Sequence, residues 1–233
     1  MLDIFKDKKI WVSGHTGFKG SWLTLWLLRL GAIVRGYSLS PEYSNYYHFY
    51  NLELNDYKNF TQSFNDITNF CSVNNDICRF KPDIIIHLAA QSLVLDSYNH
   101  PSNTYNTNIT GTSNVLESCR EKDYIKGCCI VTTDKVYKNS ESIYPMRESD
   151  RIGSSDPYYT SKACCELVID SYRGWFKNYL SQNIIISSCR SGNVIGGGDF
   201  AKNRIVPDYI KAVSKGSEFI LRNKKELIRI QEN

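Results

Sequence analysis

The chain has 233 residues, 42% of them hydrophobic and 22% charged, with a formal net charge of +4. That length suits one large domain, or one domain with a small appendage, and the apolar content can fill a core. Lysines cluster at Lys6, Lys8 and Lys9 and near Lys224 without forming a basic stripe, which argues against a nucleic-acid surface and fits attraction for a small anionic ligand.

Residues 8–13 read as a short buried strand. A glycine-rich turn follows, Gly14-His15-Thr16-Gly17-Phe18-Lys19-Gly20, and an apolar helix runs on to about Leu30, with Gly31 as its stop. The most apolar stretch, 22–30, is far too short to span a bilayer and reads as a core helix. Residues 32–37 read as strand two. Residues 40–65, rich in Tyr and Asn, lack a period and read as a loop with one short helix. Residues 83–88, a continuous apolar run after Pro82, read as a strand buried on both faces. Residues 102–122 read as a helix, 127–132 as a buried strand, 158–176 as a helix and 184–189 as the next strand.

Strands alternating with helices predict an α/β fold with a doubly wound parallel sheet and ligands at the carboxyl ends of its strands. No boundary shows before about residue 190. Residues 1–190 are therefore expected to form the dinucleotide-binding domain, and 191–233 a partial substrate-binding region. The eight cysteines form no Cys-x-x-Cys pair, and two adjacent pairs suit buried small residues better than a metal cage. No metal site is expected, and a reducing cytoplasm fits best.

Gly14, Gly17 and Gly20 follow a strand and open a helix. Glycine allows a tight turn and close approach of backbone to a pyrophosphate, and the helix N-terminus supplies N–H groups. The same glycines could serve a purely structural turn. Their context favours a dinucleotide. For NAD, an acidic residue at the end of strand two would grip the ribose hydroxyls. The spacing puts Ser38 there, with Arg35 nearby, which leaves NAD and NADP both open.

Tyr158-Tyr159-Thr160-Ser161-Lys162 contains Tyr-x-x-x-Lys. Residues four apart share a helix face. A free phenol titrates near pH ~10, and a neighbouring ammonium favours the phenolate. Tyr158 is therefore the candidate base for a hydroxyl proton, with Lys162 as its helper. Thr132-Thr133-Asp134-Lys135-Val136-Tyr137 follows a strand, where ligands sit. Thr133 is the candidate for holding a substrate hydroxyl, while Asp134 and Lys135 could also be a solvated ion pair.

The Gly-x-x-Gly-x-x-Gly spacing and Tyr-x-x-x-Lys resemble the extended short-chain dehydrogenase/reductase family. Thr133-Asp134-Lys135 looks like the arrangement of the nucleotide-sugar 4,6-dehydratases, which place an acid and a base after the threonine. A lysine in the third place is similar to the CDP-glucose type. The stretch from Gly14 to Trp22, His87-Leu88-Ala89-Ala90-Gln91, Tyr105-Asn106-Thr107-Asn108-Ile109-Thr110-Gly111-Thr112, Arg190-Ser191-Gly192-Asn193-Val194-Ile195-Gly196-Gly197-Gly198-Asp199 and Arg204-Ile205-Val206-Pro207-Asp208 extend the likeness over about residues 8–223.

The resemblance implies NAD as cofactor and CDP-glucose as the nucleotide-sugar substrate, converted to a 4-keto-6-deoxy sugar. It implies Thr133, Asp134, Lys135, Tyr158 and Lys162 as the catalytic set, with Asp134 as acid and Lys135 as base. It implies cofactor contacts from Gly14, Thr16, Gly17, Phe18, Lys19, Gly20 and Ser38, and also from Tyr158 and Lys162. Asp66 and Ile67 would flank the adenine. Leu88, Ala89, Ala90 and Gln91 would line the cofactor, and Asn108 would support a water or the lysine. Ser92, Asn193 and Arg204 are implied substrate contacts. No membrane or nucleic-acid partner is implied. A homodimer through helices around 102–120 and 158–176 is expected by analogy. Family members carry an Arg-Pro-Trp stretch shortly after the equivalent of Arg222-Asn223. Here residues 224–233 lack it, so a truncated or frame-shifted end is expected, which makes a weakly active or inactive NAD-binding fragment the alternative. A sugar-nucleotide epimerase is a third reading, which Asp134-Lys135 argues against.

Overall fold

The computed structural model describes residues 3–41, 47–138, 144–180 and 182–220. Residues 42–46 of the expected 40–65 loop, and residues 221–233, where a truncated or frame-shifted end is expected, lie outside these.

Six strands form one sheet: β1 (Lys9–Ser13), β2 (Ile33–Ser38), β3 (Phe60–Phe64), β4 (Ile84–His87), β5 (Gly127–Val131) and β6 (Ile185–Cys189). Their order is β3-β2-β1-β4-β5-β6, and every pairing is parallel. The order reverses between β1 and β4, which opens a crevice at their carboxyl ends.

The centre of the sheet is apolar on both faces because β1, β4 and β5 are largely continuous apolar runs. On one face Ile10, Val12 and Val34 pack with Leu25, Leu27 and Leu28 of α1 (Phe18–Arg29). On the other, Trp11, Ile85 and Cys128 pack with Val73 and Ile77 of the later helix Phe70–Phe80, Val115 and Leu116 of Gly111–Glu117, and Ile169 and Phe176 of Pro157–Asn178. Full burial of each such side chain contributes roughly 1.5–3 kcal/mol. In chain order these helices are α1, α2 (Tyr47–Asn51), α3 (Phe70–Phe80), α4 (Val94–Asn99), α5 (Pro101–Tyr105), α6 (Gly111–Glu117), α7 (Pro157–Asn178) and α8 (Ile205–Ser214).

The polar centre of the second layer is Asp76 on α3. It accepts from Trp11 Nε1 at 2.9 Å, Ser63 Oγ at 3.0 Å and Arg35 Nη2 at 2.7 Å. These bonds compensate a nearly buried carboxylate, and they tie β1, β2, β3 and α3 together.

Several expectations need correction. The stretch read as loop holds β3, whose polar Thr61-Gln62-Ser63 hid its strand character. Helix α3 also lies outside the expected elements, although Phe70, Val73, Ile77 and Phe80 recur at helical spacing behind its cap, Asn69, whose side chain accepts from Ser72 N at 3.0 Å. The helix expected over 102–122 is broken into α5, a π-helical turn over Asn106–Thr110 and α6. Helix α1 is a core helix on one side only, since Trp22 and Trp26 are exposed. Of the adjacent cysteines, Cys128 and Cys165 are buried and Cys129 and Cys164 half-buried, and all eight are free thiols.

Candidate active site

The glycine turn sits at the head of the crevice. Gly14 has φ +73°, and a Cβ there would come within 2.7 Å of Ala89 N. A Cβ on Gly20 would overlap the Gly14 carbonyl. Only glycine fits either place, so the backbone of α1 can approach β1 and β4 closely. Gly17 is the N-cap of α1 and offers no side-chain cap. The amides of the first turn therefore face the crevice without a side-chain acceptor, as an anion-binding helix end requires. Phe18 is buried, and Lys19 is partly exposed.

Beside the turn, Thr16 Oγ1 and Ser38 Oγ lie 2.7 Å apart at the end of β2. Arg35 points to the opposite face of the sheet, held by Asp76. Ile67 is buried against Gly111, while Asp66 is exposed and accepts from Thr68 N at 2.8 Å.

After β4 the chain bends over the turn. Leu88 N and Ala89 N both donate to Ser13 Oγ, at 3.1 and 3.2 Å. Leu88, Ala89, Ala90, Gln91 and Ser92 are half-buried along the crevice. Ser13 Oγ lies 2.6 Å from His87 Nδ1, and His87 Nε2 lies 3.3 Å from Thr112 Oγ1. Thr112 donates to Cys165 Sγ at 3.4 Å, and Cys165 donates to Asn108 O at 3.2 Å. One direction of donation satisfies every member, and it requires the Nε2–H tautomer of neutral His87. Burial first, and then Lys162, depress the His87 pKa to about 3.

Asn108 lies at the centre of the π-helical turn, a feature frequent at functional sites. Its Oδ1 accepts from Gln91 N at 2.8 Å, and its Nδ2 donates to Gln91 O at 3.0 Å and to Ser161 Oγ at 2.8 Å. It thus fastens the loop after β4 to α7.

Helix α7 begins with Asp156 as N-cap and Pro157 as first residue, so Tyr158 and Lys162 occupy successive turns of one face. Lys162 is 5% exposed and donates to Val131 O at 3.1 Å. Burial, opposed by Cys165 and Glu166, lowers its pKa. Tyr158 departs from the expectation that the lysine would favour its phenolate. Burial pushes its pKa up to about 12, opposed by Arg204 and reinforced by Tyr159 and Asp134. Desolvation outweighs the cations in the protein alone.

Thr133 caps a 3-10 turn over Asp134–Val136, accepting from Lys135 N at 3.3 Å and donating to Asp134 Oδ1 at 3.1 Å. Asp134 N donates to Ser191 O at 3.0 Å, which anchors the turn to the loop after β6. Lys135 and Asn193 are exposed. Arg204, at the start of α8, donates to Asp199 Oδ2 at 2.9 Å. It is close enough to Tyr158 and Lys19 to act on both electrostatically. Partial burial first, then Lys162 and Arg204, lowers the Lys19 pKa. Lys19, Lys162, Arg204, Tyr158 and Asp134 therefore converge on one crevice.

Three features escape the sequence reading. The chain Ser13–His87–Thr112–Cys165 lies under the crevice. Trp22 Nε1 donates to Gly197 O at 2.8 Å, and Gly196 packs on Phe18, which lays the Gly196–Gly198 segment against the glycine turn. Glu166 lies one turn past Lys162, at the i+4 spacing that could have signalled it.

Comparison with known proteins agrees with this geometry. Residues 11–224 match the family model described as GDP-mannose 4,6 dehydratase. The chain is 42% identical over 235 residues to the CDP-glucose 4,6-dehydratase of Salmonella typhimurium, covering 96% of this chain and 63% of that protein. It is 31% identical over 156 residues to the dTDP-D-glucose 4,6-dehydratase of Dictyostelium discoideum, covering 62% and 32%. The UDP-N-acetylglucosamine 4-epimerase from Methanobrevibacter ruminantium M1 superposes with a TM-score of 0.79 at 24% identity, covering 95% and 67% of the two chains. The dTDP-glucose 4,6-dehydratase from Bacillus anthracis, solved in complex with NAD, gives 0.77 at 22% identity, covering 93% and 64%. These structural matches speak for the shared fold. The chain spans less than two thirds of the length of the curated relatives it matches.

Proposed function

The chain belongs to the GDP-mannose 4,6-dehydratase family, and from that premise we propose that it dehydrates CDP-glucose to CDP-4-keto-6-deoxyglucose with NAD as cofactor. The observation that carries the reading is the convergence of the Thr133–Lys135 turn and the Tyr158/Lys162 face beside the glycine cradle. The 42% identity to a CDP-glucose 4,6-dehydratase supports the choice of substrate.

The residues of the cradle fit a dinucleotide. A Cβ would fill the space at Gly14 and Gly20, and the first-turn amides of α1 lack a side-chain cap. Thr16 and Ser38 would face the adenosine ribose. Arg35 is held in an ion pair with Asp76, so it is not free to receive a 2′-phosphate, which favours NAD over NADP. When bound, NAD supplies the hydride acceptor for carbon 4 and gives the hydride back at carbon 6.

In this reading Thr133 holds the carbon-4 hydroxyl and Tyr158 receives its proton. A phenol with a pKa of about 12 needs added positive charge to do so; Arg204 already opposes the rise, and Lys162 and the positive charge of a bound oxidised cofactor would add to it. The carbon-4 ketone acidifies the carbon-5 hydrogen. Lys135 removes that proton, Asp134 protonates the carbon-6 hydroxyl, and water departs; Lys135 then returns its proton to carbon 5 as carbon 6 is reduced. Ser92, Asn193 and Arg204 would contact the nucleotide sugar. An epimerase needs no acid–base pair at Asp134 and Lys135, so their presence favours dehydration. Exposed Tyr98, Tyr105 and Leu167 on α4, α5 and α7 support a homodimer through these helices, and the free thiols fit the cytoplasm.

The test is incubation of the purified chain with NAD and a panel of nucleotide sugars, followed by the alkali absorbance of the 4-keto product. Product from CDP-glucose alone supports the proposal. NAD binding without product from any sugar contradicts it.

A further inference from the structure

Helix α7 carries a third polar residue on its inner face. Tyr158, Lys162 and Glu166 follow one another at four-residue spacing. Glu166 is 7% exposed, and its carboxylate is shared by three segments. Oε1 accepts from Thr132 Oγ1, just before the Thr133–Lys135 turn. Oε2 accepts from Ser188 Oγ on β6 at 2.9 Å and from Arg190 Nη2 at 3.1 Å.

Arg190 is anchored in turn. Its Nη1 donates to Glu148 O at 3.0 Å, and its guanidinium lies 4.9 Å from the centroid of Tyr137, the residue that ends the 3-10 turn. The residues flanking Arg190 bind the same turn, since Thr132 N donates to Cys189 O at 2.9 Å and Asp134 N to Ser191 O at 3.0 Å. The segments 132–137 and 188–191 are therefore laced into one unit, which Glu166 attaches to the helix bearing Tyr158 and Lys162.

Burial alone would favour the neutral acid. Hydrogen bonds from Arg190, Thr132 and Ser188 outweigh it and hold the Glu166 pKa below the usual carboxylate value. All three partners donate to the carboxylate, and Arg190 can do nothing else. An amide loses the charge that pairs with Arg190 and turns an N–H group towards one partner, which forces a hydroxyl to reverse its role, as Thr132 could by donating to Cys189 O at 3.5 Å instead.

We propose that Glu166, clamped by Arg190, is a positioning residue that holds the Thr133–Lys135 turn in register with Tyr158 and Lys162. The roles of the positioned groups rest on the function proposed above.

Glu166→Gln and Arg190→Lys test it in the intact chain, with three readouts. These are CDP-glucose turnover, the NAD Kd, and amide hydrogen exchange of peptides across 128–137 and 185–191. Misplacement of the turn by about 1 Å should lower kcat roughly 10–100-fold. The NAD Kd should stay within about twofold, because the glycine cradle lies on β1 and α1. Exchange should rise in those two segments and stay unchanged in β1 and β2. Unchanged turnover overturns the proposal, and so does a loss of turnover matched by a loss of NAD binding. If the parent chain turns over no nucleotide sugar, the proposed function fails and exchange decides alone. A rise confined to the two segments supports the clamp, and no rise or a uniform rise refutes it. If Glu166→Gln does not fold, Arg190→Lys is judged by the same three outcomes.

Discussion

Replacing Asn108 by Ala removes the side chain that joins the loop after β4 to α7. Three hydrogen bonds are lost, two to the Gln91 backbone and one to Ser161 Oγ, from a residue that is 1% exposed. At about 0.5–1.5 kcal/mol each, with a further cost for leaving the Gln91 amide unpaired, the loss is about 3–5 kcal/mol. The higher helix propensity of Ala offsets about 0.5 kcal/mol of it. For a chain of this size each kcal/mol shifts Tm by about 2–4 °C, so a drop of roughly 5–18 °C is expected. Asn108→Asp keeps the acceptor for Gln91 N but presents an oxygen to Gln91 O, so it should fall between the two. Urea unfolding with an unchanged slope provides the measurement. The NAD Kd should rise as well, because Gln91 lies on the loop that would line the cofactor. A loss below about 1 kcal/mol for Asn108→Ala, or wild-type stability for Asn108→Asp, would refute this account of the π-helical turn.

Tyr158→Phe should retain NAD binding, measured by calorimetric titration, while turnover of CDP-glucose disappears; retained turnover removes Tyr158 from its proposed role. Gly20→Ala places a methyl against the Gly14 carbonyl, so NAD should bind at least ~10-fold more weakly, and unchanged affinity would mean the cradle lies elsewhere. His15 and His87 are buried, and burial depresses their pKa values to about 4 and about 3. Between those values and the ~6.5 of an exposed imidazole, the unfolded chain binds protons that the folded chain refuses, so stability falls as pH drops. Each ring should contribute up to about 1.4 kcal/mol per pH unit over that window, and His87→Gln should flatten the dependence in urea melts taken from pH 7 to 5.

The chain's apolar runs made β1, β4 and β5 legible, because a strand buried on both faces needs no alternation. Strand β3 was not, since Thr61, Gln62 and Ser63 are polar and acquire strand character only by pairing with β2. The break in the helix over 101–117 was also hidden. Asn108 reads as an ordinary helical residue until its amide is seen to bridge Gln91 and Ser161. Within the site, local spacing revealed what lies on one element, namely the glycines, Tyr158 with Lys162, and Thr133 with its neighbours. Relations across elements were out of reach. The engagement of Arg35 by Asp76 requires β2 and α3 to be packed together. The elevated pKa of Tyr158 reflects burial that a helix viewed alone does not show. Glu166 lacked a motif, although its place one turn after Lys162 was visible.

The most direct test of the proposed dehydration follows one hydrogen. CDP-glucose labelled with deuterium at carbon 4 is incubated with the chain and NAD, and the product is read by mass spectrometry and NMR. The account predicts a product lighter by one water, with the deuterium moved to carbon 6. Deuterium still at carbon 4 of an epimerised sugar, or no product while NAD is bound, would contradict it.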